Sequence, residues 1–292
     1  MLGMISNGGD QTIVNAAIAE VGEIATLPEV TVKIIQIVEN PKSTARDLHE
    51  VIKNDPALAA RILKVVNSAF YGLPGQISST DRAIVLLGLS AVKNIAIAAS
   101  MTRLFQGGGK IEGFTAMELW RHSIAVAVAS RLITAAQGKP SVEESFLAGL
   151  IHDLGLLVER QVYPRKLADV IARFQAEGTS FVAMEEEIIG ADHQAFGMAL
   201  ASKWRFPRPL CTAIGYHHKA PTLAAENREL PTLVHLADVL ACQAGIGFQA
   251  TATGEEVDDQ TLEMLGLTPE AVEDIREQLP EQVQTAEAMF RD

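Results

Sequence analysis

Apolar residues recur along this chain every three to four positions, which is the spacing of amphipathic helices. The clearest case follows Pro56, where Leu58, Ile62 and Val66 lie on one predicted helical face. Asp55 can cap this helix, and proline suits its first position because no backbone N–H is needed there. We find no period-two alternation of useful length and no internal repeat. The pattern therefore predicts an all-α protein.

Glycine divides the pattern into further helices. One helix is expected to end at Gly88, and Ser90 is expected to cap the next. Ser141 and Glu144 have the spacing of a capping box before the segment SFLAGLIHDLG. We predict that this segment is a single helix ending at Gly155.

Three predicted helices in the second half of the chain carry histidine or aspartate. Asp192 is expected to cap a helix whose first turn contains His193. The pair His217 and His218 lies at the C-terminal end of another helix, where the macrodipole favours a protonated imidazole or a metal ion. Asp238 lies in the middle of a third helix.

The most flexible part of the sequence is a run of three glycines near residue 108, which we take as a boundary between two helical bundles. We expect a smaller N-terminal bundle over residues 1–106, a Gly-rich linker over 107–112 and a larger bundle over 113–250. An acidic tail, residues 251–292, is predicted to be an amphipathic helix that Pro280 bends or breaks. This tail could pair with a second copy, so a homodimer is a further expectation.

Composition narrows the class of protein. Hydrophobic residues make up 48% of the chain but aromatic residues only 5%, which favours close-packed helices over a β-sandwich. The net charge of −12 repels phosphate backbones, so we expect no generic binding of nucleic acid. Cys211 and Cys242 lie in apolar helical patterns and are interpreted as small core residues.

Membrane attachment is not expected from the sequence. The longest uninterrupted apolar candidate, Ile95 to Ala99, is short and lies between Lys93 and Arg103. The first residues lack the basic and apolar regions of a signal peptide. We therefore expect a soluble, cytoplasmic protein.

The strongest chemical signal is an ordered series of imidazoles and carboxylates in the second half of the chain. Histidine and aspartate are the usual ligands of hydrolytic Fe, Mn, Zn or Ni sites. A single histidine on a helix is more often a hydrogen-bonded structural residue, but a series of them favours a metal site. The predicted ligands are His122, His152, Asp153, His193, His217 and Asp238, with His218 as a seventh ligand or an outer hydrogen-bond donor.

The adjacent His152 and Asp153 are the sharpest element of the series. Successive residues on a helix point about 100° apart, so this doublet can serve two ions, with the carboxylate as bridge, at the inner edge of a bundle. If the site is catalytic, activity should depend on Asp153 as the bridging carboxylate of a two-metal hydrolase. Glu118 lies four residues before His122 on the same helical face, as an extra ligand or a solvated residue.

The order H, HD, H, HH, D resembles the HD phosphohydrolase superfamily, and the surrounding sequence is closer still to the HDOD domain of bacterial signalling proteins. The similar segments include NDPALAARILKVVNSAFYG, FLAGLIHDLGLL, DHQAFGMALASKW and AIGYHH, and together they cover roughly residues 24 to 245. The first of these is specific to HDOD. The resemblance implies an N-terminal HDOD-specific bundle and a C-terminal HD-like bundle, both helical.

Two departures from the HD-GYP branch, whose members are cyclic-dinucleotide phosphodiesterases, bear on activity. That branch has a lysine shortly after the HD doublet, where this chain has Leu156, and a GYP loop that is absent after the paired histidines here. The lysine of that branch contacts a substrate phosphate, and leucine cannot do so. HDOD domains in general have no established activity and look like output or scaffold modules.

Two functions are therefore open. The favoured one is a regulatory output module that binds a signalling protein or a small ligand, with a mono- or dinuclear divalent metal (Fe, Mn, Ni or Zn) or with no metal. The alternative is a metal-dependent phosphohydrolase acting on a nucleotide or cyclic nucleotide, which needs basic groups for phosphate. The candidates for phosphate binding are Arg121, Lys203, Arg205, Arg208 and Lys219. Basic side chains on a helix surface are, however, more often simply solvated.

We further expect the N-terminal bundle to form the partner-binding surface. On this interpretation, replacing Phe70 or Tyr71 weakens partner binding without loss of bound metal. The neighbouring polar groups of Asn54, Asn67 and Ser68 are interpreted as capping and turn residues and not as an active site.

Overall fold

The computed structural model describes residues 10–22, 29–40, 42–73, 75–105 and 111–290. Within these ranges the chain forms α-helices joined by turns and short 3-10 turns, and the only β feature is one isolated bridge. The all-α prediction is therefore confirmed. None of the described helices has a stretch that is both long and apolar enough to cross a bilayer.

The described helices fall before and after the glycine run near residue 108. The first group is α1 (Gln11–Glu20), α2 (Glu29–Glu39), α3 (Ala45–Ile52), α4 (Pro56–Val66), α5 (Thr80–Leu87) and α6 (Leu89–Met101). The second group begins with α7 (Ala116–Ala136), α8 (Val142–Ile151), α9 (Leu154–Val162), α10 (Pro164–Glu177) and α11 (Phe181–Ile188). It continues with α12 (His193–Lys203), α13 (Arg208–Tyr216), α14 (Glu229–Gln243), α15 (Asp259–Leu265) and α16 (Pro269–Phe290).

Local capping signals set the start of several helices. The Asp55 carboxylate accepts the Leu58 N–H at 2.9 Å, and the Asp192 carboxylate accepts the Ala195 N–H at 2.8 Å. Each side chain satisfies a backbone donor that has no partner inside the helix. The predicted caps of α4 and α12 are thus confirmed.

Two other predicted caps are wrong. Helix α6 begins at Leu89, directly after Gly88, whose φ of +87° turns the chain so that no cap at Ser90 is needed. Ser141 precedes α8, but its φ of −87° and ψ of 35° differ from the extended conformation of a cap, and its hydroxyl makes no capping bond. The predicted capping box with Glu144 is therefore absent.

Helix α7 lies at the centre of the second group and is buried on nearly all sides. It packs against α8, α14 and α16. At Gly149 of α8, an added Cβ would lie 2.7 Å from the Val126 carbonyl oxygen, so only glycine permits this close approach of α8 to α7. The approach brings His152, just after α8, towards His122 of α7.

Helices α2, α4 and α5 pack on α6, which also contacts α8, and α1 packs against α12 and α9 of the second group. The apolar core is consequently continuous between the two groups. The three glycines near residue 108 and most of the predicted linker lie outside the described residues. The division at residues 107–112 and the bundle boundaries on either side stay a prediction.

Helix α16 runs through Pro280 as one continuous helix, so the break that was predicted as one of two outcomes is absent. Its apolar face packs against α7 and α4, which offsets the backbone hydrogen bond that proline removes. In this structure the apolar face of the tail is covered within the chain, and the homodimer stays a prediction. The buried residues of this face are Val272, Ile275, Leu279, Val283, Ala286 and Met289.

Phe70, which was expected at a partner-binding surface, lies in the interior. Its side chain is 8% exposed, and its ring centroid is 5.7 Å from that of Phe146 on α8. The Arg131 guanidinium lies 4.2 Å from the Phe70 ring centroid and 5.1 Å from that of Tyr71. These contacts join the first helices to α7 and α8. A partner surface on the N-terminal bundle stays a prediction, but it cannot use the Phe70 ring.

Replacing Phe70 with alanine should lower the free energy of unfolding by about 3 kcal/mol, because the change removes a buried ring and leaves a cavity. Denaturant-induced unfolding measures this loss. The matched control is Val85→Ala, since the Val85 side chain is 82% exposed and its truncation should change stability by no more than about 0.5 kcal/mol. Equal stability of the two variants would contradict the interior position of Phe70.

Candidate metal centre

All seven residues of the predicted series meet at one point of the fold. They come from α7, from the turn between α8 and α9, from the first turn of α12, from the C-terminal end of α13, and from the middle of α14. Six of them are at most 1% exposed, and the side chain of the seventh, His218, is 6% exposed. The residues brought together are His122, His152, Asp153, His193, His217, His218 and Asp238.

The His152–Asp153 doublet lies at a break between two helices. The prediction that it lies inside a single helix ending at Gly155 is wrong. Helix α8 ends at Ile151, and α9 begins at Leu154. Gly155 lies inside α9, where an added Cβ would be 1.8 Å from the carbonyl oxygen of His193. This close crossing of α9 and α12 places His193 beside Asp153.

The two carboxylate oxygens of Asp153 face different imidazoles. Oδ2 lies 3.3 Å from His152 Nε2 and 3.8 Å from His122 Nε2. Oδ1 lies 3.4 Å from His193 Nε2 and 3.6 Å from His217 Nε2. Asp153 thus lies between two imidazole pairs, His152 with His122 on one side and His193 with His217 on the other.

Asp238 supplies the second carboxylate of the cluster. Its Oδ1 lies 3.0 Å from His122 Nε2, and its Oδ2 lies 3.7 Å from His218 Nε2. The Cys242 thiol, one helical turn later on α14, donates to Oδ1 at 3.5 Å. Burial and the Asp238 carboxylate both raise the pKa of Cys242, so this thiol stays neutral. Cys242 is buried as predicted, whereas Cys211 is half-buried.

Hydrogen bonds on the outer side of three imidazoles fix their orientation. The Nδ1 of His152 donates to the Gly149 carbonyl at 2.7 Å, and that of His217 donates to the Ile214 carbonyl at 3.0 Å. The Nδ1 of His193 lies 2.8 Å from Glu185 Oε2. With the proton on Nδ1, each Nε2 presents a lone pair to the centre of the cluster, as metal-binding histidines do.

The distances inside the cluster fit a bound transition metal. The Nε2 atoms of His193 and His217 are 3.3 Å apart, and two nitrogens held at about 2.0–2.1 Å by one tetrahedral ion are separated by about the same distance. Several buried atoms also make no hydrogen bond, which is costly unless a cation satisfies them. They are His152 Nε2, both oxygens of Asp153, both ring nitrogens of His218 and Oδ2 of Asp238.

Protonation and metal binding compete at this cluster. Burial lowers the pKa of His217 and, with help from neighbouring imidazoles, lowers that of His218 well below its usual value, so these two bind a metal as they stand. Burial would raise the pKa of Asp153, but His152 and His193 hold it well below its ordinary value. Burial would lower the pKa of His152, but the Asp153 carboxylate raises it, so a bound cation would take the place of a proton there.

Glu185 of α11 belongs to the centre but was missed in the sequence. It is fully buried, and it orients His193 through the contact described above. Burial raises its pKa well above the usual value. Its position at the start of an EEE run suggests solvent, yet Phe181, four residues before it, and Ile188, three residues after it, share its helical face. That spacing is the signal that could have identified it.

Glu118 lies apart from the cluster, so of the two roles predicted for it the structure shows the solvated one. Its side chain is 45% exposed and pairs with Arg121 at 3.5 Å, because one turn before His122 the helix has already reached the surface. The basic candidates for phosphate binding are also engaged elsewhere or solvated. Lys219 pairs with Asp192 at 2.6 Å, Lys203 donates to a backbone carbonyl of α1, and Arg208 is exposed.

This fold and this cluster define a class of protein: an all-α chain with a buried His/Asp centre of the metal-binding type. The sequence profile of the HDOD domain matches residues 24–220. The chain therefore belongs to the HDOD family, as its resemblance implied.

Individual relatives support the fold and leave the activity open. An uncharacterized protein of Treponema pallidum (strain Nichols) is 27% identical over 227 residues, which span 77% of this chain and 43% of that protein. This chain thus spans less than half the length of that relative. The crystal structure of an HDOD domain protein of unknown function from Geobacter sulfurreducens superposes with a TM-score of 0.81 at 23% identity, covering 96% of this chain and 97% of the other.

A second crystal structure, from Marinobacter aquaeolei VT8, carries a provisional name as a signal transduction protein. It superposes with a TM-score of 0.77 at 24% identity and covers 98% of this chain and 67% of the other. At these identities both structures support the fold alone.

Proposed function

We propose that this chain is a non-catalytic HDOD output module whose buried His/Asp centre holds a divalent transition metal and which acts by binding a protein partner or a small ligand. The observation that carries the proposal is the enclosure of the centre. Six of its seven residues are at most 1% exposed, so the centre presents very little surface to a phosphoester substrate. Closed metal sites are typical of structural metals, whereas catalytic sites keep a coordination position open to substrate.

The residue at the position of the phosphate-binding lysine supports the same proposal. Leu156 is fully buried in the apolar core on α9. It offers no donor to a phosphate, and Lys219, one of the basic candidates, is held by Asp192 and Glu186. The phosphate contact that a lysine makes in the HD-GYP branch therefore has no counterpart at residue 156.

The bound metal would link five segments that are distant in the sequence. His152 and His122 lie near one oxygen of Asp153, with Asp238 beside His122. His193 and His217 lie near the other oxygen of Asp153. When bound, the metal supplies a Lewis-acid charge that the ionised Asp153 and Asp238 balance. The chain's own part is to keep Asp153 ionised, orient the Nε2 atoms of the imidazoles and exclude water.

One observation favours the alternative function of a phosphohydrolase. The centre retains a complete set of imidazoles and a carboxylate placed to bridge two ions, which is the ligand arrangement of two-metal hydrolases. An opening of the surrounding segments would be required before any substrate could bind.

Hydrolysis assays separate the two functions. The protein is loaded in turn with Mn²⁺, Fe²⁺, Ni²⁺ or Zn²⁺ and incubated with bis(p-nitrophenyl) phosphate and with a cyclic dinucleotide. We expect no turnover above that of an Asp153→Ala variant treated with the same metal, because substrate cannot reach the enclosed centre. Turnover that depends on Asp153 would overturn the non-catalytic proposal and establish the phosphohydrolase.

A further inference from the structure

Helix α14 presents three potential ligands on the face that borders the metal centre. His235, Asp238 and Cys242 are spaced by three and four residues, so they lie in one row along the helix. Asp238 and Cys242 are buried, whereas the His235 side chain is 26% exposed. The row therefore leads from the centre to the protein surface.

The segment from residue 245 to residue 258, here called the cover segment, closes over this row. At Gly247, with φ of +72°, an added Cβ would lie 2.3 Å from the backbone nitrogen of His122. The Phe248 N–H donates to the Glu118 carbonyl at 3.0 Å. These contacts hold the cover segment against α7 beside the centre. Near the end of the segment, the Oε2 atom of Glu255 lies 3.1 Å from the Nε2 atom of His235.

His218 connects this surface pair with the centre. Its ring centroid is 5.5 Å from that of His235, and its Nε2 is 3.7 Å from Asp238 Oδ2. Neither ring nitrogen of His218 makes a hydrogen bond, although the side chain is only 6% exposed. Nδ1 of His235 is also buried without a partner. Unpaired imidazole nitrogens in such a position are costly unless an ion binds them.

We propose that His218, His235 and Glu255 form a separate cation site at the surface edge of the centre, through which a divalent transition metal enters. One potential ligand atom from each residue lies within 4.8 Å of the others. Two imidazoles and one carboxylate suit Zn²⁺ and similar ions. Glu255 is on the exposed cover segment and His218 borders Asp238, so the three residues span the distance between solvent and the buried ligands.

The inference that metal enters by this route rests on the proposed function, because it assumes that the buried centre takes up metal. A plain ion pair between His235 and Glu255 that only fastens the cover segment predicts the opposite kinetics. Removing a fastening would loosen the cover and speed metal uptake. Removing an entry ligand would slow it.

Stopped-flow uptake of Zn²⁺ by metal-stripped protein, followed with a chromophoric zinc chelator, distinguishes these possibilities. We expect Glu255→Gln and His235→Gln to slow uptake at least tenfold, while the zinc that stays bound in the buried centre after gel filtration is unchanged. The matched control is His49→Gln, which removes another surface histidine–carboxylate pair, with His49 Nδ1 2.8 Å from Asp81. Unchanged or faster uptake in the two test variants would overturn the entry route.

Equilibrium dialysis with Zn²⁺ in an Asp153→Ala background tests the new site apart from the buried centre. We expect one weakly held zinc ion in this background and its loss when Glu255→Gln is added. Binding that is the same with and without Glu255 would overturn the cation site. Failure of the proposed function has a different signature, namely that wild-type protein and Asp153→Ala retain the same amount of zinc after gel filtration.

Discussion

Replacing Asp153 with alanine should abolish tightly bound metal. The wild-type protein, purified without chelators and passed through gel filtration, is expected to retain about two transition-metal ions per chain, because the two oxygens of Asp153 face two separate imidazole pairs. Alanine removes the ligand that both positions share. Elemental analysis of the two proteins measures the difference.

Thermal unfolding provides a second readout of the same variant. Metal at a hundredfold excess over its dissociation constant should stabilise wild-type protein by about 2.7 kcal/mol per site, and Asp153→Ala should gain nothing comparable. The matched control is Asp81→Asn, a carboxylate that is 63% exposed and should leave metal content unchanged. Metal absent from both wild type and variant would mean that the histidines are structural. Metal retained by Asp153→Ala would mean that the ions bind elsewhere.

Replacing Gly155 with alanine should be among the most destabilising single changes in the chain. The added Cβ would lie 1.8 Å from the carbonyl oxygen of His193, which is backbone and cannot rotate away. Helices α9 and α12 must therefore separate, at a cost of about 3 kcal/mol or more. For a chain of this size that corresponds to a fall in Tm of roughly 6 °C or more.

The same change should also disturb the metal centre, because His193 moves with α12 away from Asp153. We expect the Gly155→Ala protein to retain less metal than wild type at a temperature where it is still folded. Gly22→Ala is the control, since an added Cβ there meets only the flexible end of Gln161, at 3.4 Å. Similar Tm and metal content for the two variants would show that the crossing of α9 and α12 does not position His193.

The metal centre depends on how the helices of the second group cross. Its ligands come from five segments, and close helix crossings at Gly149 and Gly155 bring those segments together. Two ions that share Asp153 would together join these segments and stabilise one arrangement of the bundle. A partner that binds a different arrangement of these helices would then compete with metal binding. In a regulatory module, metal binding and partner binding would be coupled in this way.

The sequence was most informative where the structure depends on neighbouring residues. Helix periodicity and the capping aspartates Asp55 and Asp192 predicted the correct starts of α4 and α12, because a cap bonds to backbone only three residues away. The cap predicted at Ser141 is absent, because the backbone of this residue is not extended. Phe70 was assigned to a surface because its burial depends on Phe146, a residue far away in the chain.

By itself, the sequence determined the all-α class, the family and the seven residues of the centre, since residue type and order are local properties. Only the tertiary structure decided which oxygen of Asp153 faces which imidazoles, that Glu185 lies buried behind His193, that Glu118 faces solvent, and that His235 borders the centre. A helical pattern states which residues share a face. What that face meets depends on the packing of distant helices, and burial and pKa follow from that packing.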